Sequence, residues 1–488
     1  MGNTLAVDHK PPIGVGFCPL VSGRRGTWAR HEGIYVQRDV SSCNSRVERA
    51  DCRLMPSPNP SKLLWIILAV ALAIRVAGAI GLQWWLDGRP GQTFLIEGDA
   101  NGYWHLAEDI AEGREFAIHE PPRYVLRMPG FPALLAVPIR LFDDPFFPAR
   151  LMLACGGTVA CALVYWLGRV LCDERVGLTA MTLATVSPTL AGFSPVILSE
   201  TTFAMCLMAS LIGMAVMVRG RVVATAEGNR CQNWTPGMMA VLGTLTGVLI
   251  GITCYVRPSW LLAAPLFGTA LVLLSPDRGR ALLAGICVVA GAVGVLLPWG
   301  MRNERITGHF VLTTLWMGPS LYDGLSPQAT GDSDMTFFDR DNLMAKGISE
   351  YDVNKHYSEQ AWAFARSQPG RVIELAFIKL WRYFKPWPSA DQFGGWLPAV
   401  VLTSFTIPMY LLALRGWWVM RADFRAWGLT IGPLLYFAGL HMLFVSSLRY
   451  RLPAEYPLLV MTAVGWRSLQ GKSQYGGPSA NSQQPTAN

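Results

Sequence analysis

The chain has 488 residues, of which 51% are apolar or aromatic and only 15% are charged, and its mean hydropathy is +0.30. A soluble globular protein carries about 25% charged residues, so this composition excludes an ordinary soluble enzyme, a disordered chain and a fibrous one. Forty-one lysines and arginines against 33 acids give a formal charge of +8. In a membrane protein that excess bears on orientation before it suggests a nucleic-acid partner, and no nucleic acid is expected here.

The two ends of the chain are polar and irregular. Residues 1–62 and 468–488 are predicted to be flexible cytoplasmic tails on either side of a membrane domain at 63–467. Ten cysteines are present without a CxxC pair, so neither a disulfide framework nor a zinc site is indicated.

Apolar runs long enough to cross a bilayer recur along the membrane domain. They predict an all-α, polytopic bundle of about ten transmembrane helices, at 63–82, 151–171, 177–195, 199–218, 237–256, 259–275, 281–299, 396–414, 427–446 and 453–467.

The run at 128–142 decides the topology. It is short and holds three prolines and Arg140, which favours an interfacial or re-entrant segment. Without it, both termini lie inside, and each short inner loop has more lysine and arginine than the adjacent outer turns or is balanced by local acids, as the positive-inside rule favours. Counting it gives eleven spans and reverses that pattern.

This topology places two large loops, 83–150 and 300–395, on the outer face. Asp99 is predicted to cap a helix over 101–112 that Gly113 ends. Ser349 opens a second helix with a capping box, and residues 373–384 are typical of a helix lying at the membrane interface.

Acids at the outer face are candidates for chemistry. Glu97 and Asp99 are one residue apart, so they can supply a general base or hold a divalent cation. Tyr103 and His105 on the following helix are candidates to line a substrate site. The alternative for Asp99 is a helix cap alone. Glu200, at the start of a later span, either orients the site or complements a helix dipole.

Arginines recur at the same level of the membrane domain. Arginine binds phosphate oxygens bidentately, and each one taken singly is equally typical of snorkelling or of a headgroup contact. As a set they oppose the positive-inside pattern, which favours a site for a lipid-linked phosphate. The candidates are Arg127, Arg257, Arg302, Arg449 and Arg451.

The order of these motifs resembles the GT-C class of membrane glycosyltransferases. The resemblance rests on EGDANGYWHLAEDIAEG, RMPGFPALL, SPVILSETTFA, LPWGMRNERITGHFVLTT and RYRLPAEYPLL, which extend over roughly residues 63–467. It is strongest to the bacterial branch similar to protein O-mannosyltransferases and aminoarabinose transferases.

The resemblance implies an inverting transfer of a sugar from a polyprenyl-phosphate donor to a lipid, glycan or protein acceptor. It places the protein in the cytoplasmic membrane with its site facing outward. It maps the essential acid to Asp99, with Glu97 completing the acidic motif, the RxPG arginine to Arg127 and the acid of the second outer turn to Glu200. A transporter or lipid flippase, an inactive relative, and a ligase or polymerase of lipid-linked glycans are the alternatives.

Overall fold

A computed structural model describes residues 60–219, 221–225, 228–232, 234–388 and 395–471. The predicted tails at 1–62 and 468–488 therefore lie almost wholly outside the described residues. In chain order the helices are α1 (Pro60–Asp87), α2 (Glu97–Glu112), α3 (Gly130–Leu141), α4 (Phe146–Leu171), α5 (Glu174–Val186), α6 (Pro188–Phe193), α7 (Ser199–Arg219), α8 (Pro236–Val256), α9 (Ala263–Leu274), α10 (Arg278–Thr307), α11 (Met317–Gly324), α12 (Thr336–Asp341), α13 (Glu350–Ser367), α14 (Pro369–Phe384), α15 (Trp396–Val419), α16 (Phe424–Thr430), α17 (Gly432–Leu443) and α18 (Leu448–Leu469).

The chain is a helical membrane protein. Within the described residues, six helices are long and apolar enough to cross a bilayer, namely α1, α4, α7, α8, α10 and α15, and a seventh span is formed if α16 and α17, bent by 48°, are taken together. A 3-10 turn at Pro258–Trp260 precedes α9, and an antiparallel hairpin of β1 (Arg221–Thr225) and β2 (Gly228–Gln232) joins α7 to α8. The fold class is thus helical apart from one short hairpin.

The predicted count of ten spans is not confirmed. The run at 177–195 is two helices, because the chain leaves α5 at Ser187 and restarts at Pro188. The run at 259–275 forms a shorter apolar helix. The segment Gly130–Leu141 is also a shorter apolar helix, in agreement with the prediction that the run at 128–142 is not a span. The run at 453–467 belongs to the 22-residue α18, whose charged residues keep its hydropathy low.

Helix α18 lies at the centre of the bundle. Every residue from Arg451 to Gly465 is buried, and the helix packs against α4, α5, α7, α15 and α17. Backbones approach closely where glycine allows it. At Gly243 of α8, for example, an added Cβ would lie 2.8 Å from the Ala284 carbonyl oxygen of α10, so small residues set the distance between these two helices.

The segments predicted to lie outside fold as short helices over one end of this bundle. Ser349 accepts a hydrogen bond from the Asp352 amide and starts α13, as its capping box predicts. Helix α14 buries Leu375, Lys379 and Tyr383, which are four residues apart on one face. Ile373, Phe377 and Trp381 on the opposite face are exposed. This apolar exposed face is consistent with the prediction of a helix at the membrane interface, which stays a prediction.

Candidate functional site

Asp99 lies in the first turn of α2 and does not cap it. The helix begins at Glu97, its N-cap is Ile96, and no side chain caps it. The predicted helix start at 101 and the capping role of Asp99 are therefore wrong, because the helix starts before Asp99 and the carboxylate is bonded elsewhere. The predicted end is right: Gly113 closes the helix with a left-handed backbone, φ 73°.

Five charged side chains form one continuous chain of ion pairs. Arg127 Nη2 lies 2.8 Å from Asp99 Oδ1, and Arg449 pairs with the other oxygen of the same carboxylate. Arg449 Nε lies 3.3 Å from Glu200 Oε1, and Arg257 Nη1 lies 2.9 Å from that same oxygen. We call Asp99, Arg127, Glu200, Arg257 and Arg449 the charged cluster.

The members of the cluster come from distant parts of the chain but from one end of the bundle. Asp99 is on α2, Glu200 begins α7, Arg257 directly follows α8, and Arg449 begins α18. Gly130 brings the RxPG segment into place, because its Cα position packs against the end of α8: an added Cβ would lie 2.6 Å from the Tyr255 carbonyl oxygen.

Aromatic rings support the guanidinium groups. Arg127 lies over the Tyr103 ring at 4.4 Å, and Arg257 and Arg449 lie 5.4 Å and 5.1 Å from the Tyr450 ring. The Tyr103 hydroxyl is 3.3 Å from Ser199 Oγ. Because a ring face attracts a cation, these contacts fix the guanidinium planes before any ligand binds.

The cluster carries three positive and two negative charges, a net charge of +1. Burial raises the pKa of the Asp99 carboxyl, but Arg449 and Arg127 outweigh it and hold that pKa well below its usual range. The two ion pairs, and not burial, therefore decide the direction of the pKa shift of Asp99.

Burial is graded across the cluster. The Glu200 side chain is 3% exposed and its Oε2 accepts no hydrogen bond, whereas the Asp99 side chain is 30% exposed and the three arginines are 18–23% exposed. Glu200 is thus the buried partner of Arg257 and Arg449, and the Asp99 carboxylate is accessible at the protein surface.

Arg302 does not join the cluster. Its guanidinium donates to the carbonyl oxygens of Tyr124 and Phe116 at 2.9 Å and 3.1 Å and lies 4.5 Å from the Trp299 ring. The prediction that it binds phosphate is not supported, since backbone carbonyl oxygens in the segment 83–150 accept its hydrogen bonds.

Glu350 reinforces that position. Its carboxylate accepts hydrogen bonds from the Tyr124 and Val125 amides at 2.9 Å and 3.2 Å. Arg302 and Glu350 together hold the turn that leads to Arg127.

Arg451 is also elsewhere. It is fully buried, its Nε is 2.6 Å from Glu455 Oε1, and its Nη1 donates to the Tyr383 and Lys385 carbonyl oxygens. These bonds tie α14 to α18. Arg451 therefore lies outside the charged cluster, and its phosphate-binding role stays a prediction from the sequence.

Glu97 and His105 are exposed on α2, outside the cluster. His105 Nδ1 lies 3.6 Å from Asp109 Oδ2, and Glu97 borders a shallow surface depression beside Arg89 and Gly91. Neither side chain lines the charged cluster, although Tyr103 on the same helix does.

The cluster carboxylates are engaged by arginines. Both Asp99 oxygens and Glu200 Oε1 face guanidinium groups. In the part of the chain that the structure describes, no three His, Cys, Asp or Glu side chains are grouped as metal ligands. A divalent cation at the Glu97 and Asp99 pair stays a prediction from the sequence.

Tyr450, Ser199 and Glu350 were not singled out from the sequence as parts of the site. Tyr450 stands between the two arginines of the RYRLP motif, and that position was its only signal. In the sequence, Glu350 was notable only as the first helical residue after the predicted cap Ser349.

No family model and no curated protein sequence matches the chain. Its fold does match solved structures. The AglB oligosaccharyltransferase of Archaeoglobus fulgidus, in complex with an inhibitory peptide and a dolichol-phosphate, aligns with a TM-score of 0.51 and 15% identity over 85% of this chain and 52% of that one. The oligosaccharyltransferase of that organism tethered to an acceptor peptide aligns with a TM-score of 0.52 and 15% identity, over 85% and 50% of the two chains.

A third structure is ArnT from Cupriavidus metallidurans bound to undecaprenyl phosphate, with a TM-score of 0.38, 14% identity and coverage of 84% and 78%. The chain spans about half the length of the oligosaccharyltransferases that it matches. The structure neighbours are GT-C glycosyltransferases, so the resemblance predicted from the sequence is confirmed for the fold.

Proposed function

We propose that this protein transfers a sugar from a polyprenyl-phosphate-linked donor to an acceptor hydroxyl, with inversion, on the extracytoplasmic side of the cytoplasmic membrane. The observation that carries the proposal is the charged cluster, in which three arginines exceed two carboxylates at one end of a membrane bundle. A GT-C fold supports the same class of reaction, and the solved neighbours named above include complexes with a dolichol-phosphate and with acceptor peptides.

The net charge of +1 suits a donor in which one phosphate links lipid and sugar. Such a phosphodiester carries one negative charge, which the cluster neutralises. Arg257 and Arg449 lie side by side on Glu200, so their outward N–H groups are positioned to hold phosphate oxygens. As the sugar leaves, charge grows on that phosphate, and fixed guanidinium groups stabilise it without reorganising.

Asp99 is the proposed base. When the donor phosphate takes hydrogen bonds from Arg449 and Arg127, the Asp99 carboxylate loses part of its ion pairing and its pKa rises toward the usual range. It then accepts the proton of the acceptor hydroxyl. The acceptor oxygen forms its bond to the anomeric carbon on one face while the bond to the phosphate oxygen breaks on the other, and the electron pair leaves on the phosphate.

Two measurements test this function. Glycolipids and glycoproteins are compared between cells with and without the protein, and the comparison is repeated with Asp99→Asn. We expect a glycosylated product that disappears with the variant, since loss of a general base costs about 10²–10⁴-fold in rate. Unchanged product with correctly inserted Asp99→Asn would overturn the assignment of the base.

Binding of polyprenyl phosphate to the purified chain separates the phosphate site from the chemistry. Arg257→Gln and Arg449→Gln should each weaken binding about tenfold, because each removes a charge-assisted hydrogen bond. Arg89→Gln is the control, because Arg89 is exposed and stacks on Trp85 near the end of α1. Equal effects of all three variants would reject the cluster as the phosphate site. Lipid movement without any sugar transfer would instead support a flippase.

A further inference from the structure

A cavity opens toward the end of the bundle that is opposite the charged cluster. It has a volume of about 390 Å³ and lies between α7, α9 and the bent pair α16 and α17. The 21-residue α8 separates Trp234, at this end, from Arg257 of the charged cluster. At 1.5 Å per residue the polar end of the cavity lies about 30 Å from Arg257. The apolar end reaches Trp260, three residues after Arg257, so it is the polar end that is remote from the charged cluster.

The cavity wall is apolar along most of its length and charged at one end. Its apolar part includes Leu211, Met217, Trp260, Phe267, Leu271 and Tyr436, and its polar end includes Ser275, Asp277, Arg280 and Arg425. Leu266 and Leu274, which also line it, are 56% and 49% exposed. The crevice therefore opens sideways, toward the surface that faces lipid in a membrane-spanning bundle. We call it the apolar crevice.

The charges at the mouth do not balance. Arg280 pairs with Asp277 at 2.9 Å, and neighbouring Arg219 pairs with Asp423 at 2.6 Å. Arg425 is exposed and donates one hydrogen bond, to the Val218 carbonyl oxygen at 3.1 Å. Among the described residues that line the crevice, Arg280 and Asp277 compensate each other, and no described carboxylate pairs with Arg425.

An apolar slot with a cation at its rim selects an amphipathic anion. We propose that the apolar crevice binds an anionic phospholipid, with one acyl chain in the slot and its phosphate on Arg425. An acyl chain in the slot packs against its leucine and aromatic walls, and an arginine near a membrane surface attracts anionic headgroups. This site is separate from sugar transfer and does not depend on it.

The chain offers matched variants for the slot. Gly428 lines the crevice inside α16, and an added Cβ there would meet only the Phe424 ring, at 3.7 Å. The Cβ of Gly428→Leu is therefore accommodated, the rest of its side chain occupies space in the slot, and leucine favours the helix more than glycine does. Gly439→Leu is its control, because Gly439 is inside α17 with nothing within 4 Å of an added Cβ and does not line the crevice.

The mouth has its own pair of variants. Arg425→Gln removes the unpaired charge. Arg421→Gln is the control, because Arg421 is an exposed arginine of the same turn that stacks on Trp418 at 4.5 Å and lies outside the crevice.

The experiment measures binding of fluorescent phosphatidylglycerol and phosphatidylcholine to the purified full chain in detergent. We expect a preference for phosphatidylglycerol that Arg425→Gln reduces about fivefold and that Arg421→Gln leaves unchanged. Gly428→Leu should abolish saturable binding of both lipids, while Gly439→Leu should not.

Three results would overturn the proposal: no preference for the anionic lipid, normal binding to Gly428→Leu, or displacement of phosphatidylglycerol by polyprenyl phosphate at equal concentration. The last would assign the crevice to the lipid of the sugar donor. Asp99→Asn should bind phosphatidylglycerol normally, so failure of the proposed transfer reaction and failure of this lipid site give different results.

Discussion

Glu200→Gln separates the structural role of Glu200 from a catalytic one. The glutamate oxygen shared by Arg257 and Arg449, at 2.9 Å and 3.3 Å, is the interior anchor of the charged cluster. The substitution keeps the shape of the side chain and changes the net charge of the cluster from +1 to +2. Two consequences follow, one for folding stability and one for phosphate affinity, and they have opposite directions.

The stability should fall, because two nearby guanidinium groups lose the carboxylate between them. Breaking a buried ion pair from one side costs about 3–5 kcal/mol. We expect the lower part of that range, since the two arginines are about a fifth exposed and water screens them. The thermal unfolding midpoint in detergent measures this loss.

The affinity for polyprenyl phosphate should rise. The substitution removes the repulsion between the Glu200 carboxylate and the bound phosphate. Two unit charges about 6 Å apart repel each other by roughly 3 kcal/mol at an effective dielectric constant of about 20. Water at the cluster reduces this repulsion to about 1 kcal/mol, which corresponds to about fivefold tighter binding. Glu97→Gln is the control: it also removes a carboxylate at this end, but from an exposed position on α2. Weaker phosphate binding in Glu200→Gln, with an unchanged unfolding midpoint, would refute this account of the cluster.

Three further changes test the surroundings of the cluster. Gly130→Ala should lower the unfolding midpoint by an amount equivalent to about 1–3 kcal/mol, because its Cβ would lie 2.6 Å from the Tyr255 carbonyl oxygen, whereas Gly98→Ala meets nothing within 4 Å. Arg302→Gln should speed proteolysis of the first outer segment and reduce transfer while leaving polyprenyl phosphate affinity within about twofold, since it frees two backbone carbonyls and no cluster residue. The stability difference between the native protein and Asp99→Asn should be constant from about pH 8 to 5 and shrink below about pH 4, because a lowered pKa stabilises the fold only above the usual value of 3.8; a difference that grows on acidification would contradict the ion pairing.

The sequence was informative where a charged residue stands against an apolar background. Glu200, Arg257 and Arg449 were candidates because each is close to a predicted span end. Asp99 and Arg127 were candidates because they belong to an acidic pair and to the RxPG motif of the first predicted outer loop. Their meeting follows from the topology, since the ends that point the same way are close together in a bundle. Pair distances do not follow from it, because they depend on side-chain packing.

The sequence was misleading where backbone carbonyls compete for a guanidinium. Arg302 and Arg451 have the same local signature as the three cluster arginines. One is bonded to the carbonyls of the first outer segment and the other to those at the end of α14. Both partners are more than sixty residues away along the chain, so no local pattern could distinguish these arginines from phosphate ligands.

The mean hydropathy of the whole of helix α18 underestimates its burial for a related reason, although its apolar run at 453–467 was predicted. Its arginines, glutamate and prolines lower its mean hydropathy, yet it is the most completely buried helix at the centre of the bundle. The Arg451 and Glu455 pair, 2.6 Å apart and one turn from each other, satisfies its own charge. An apolar average measures affinity for lipid, and a helix surrounded by other helices is not selected for that property.

The arginines that Asp99 shares with the donor phosphate connect the two halves of the proposed reaction. Without a donor, Arg127 and Arg449 both pair with Asp99, so its carboxylate is a poor base and any water or hydroxyl beside it stays protonated. A donor phosphate competes for the same two arginines, and only then does Asp99 become available. Phosphate arrival and activation of the base are therefore one event under this proposal, which protects the donor sugar from water until it is fully bound. A site in which the arginines of Asp99 did not also bind the phosphate would lack this coupling, because the ion pairs of Asp99 would survive donor binding.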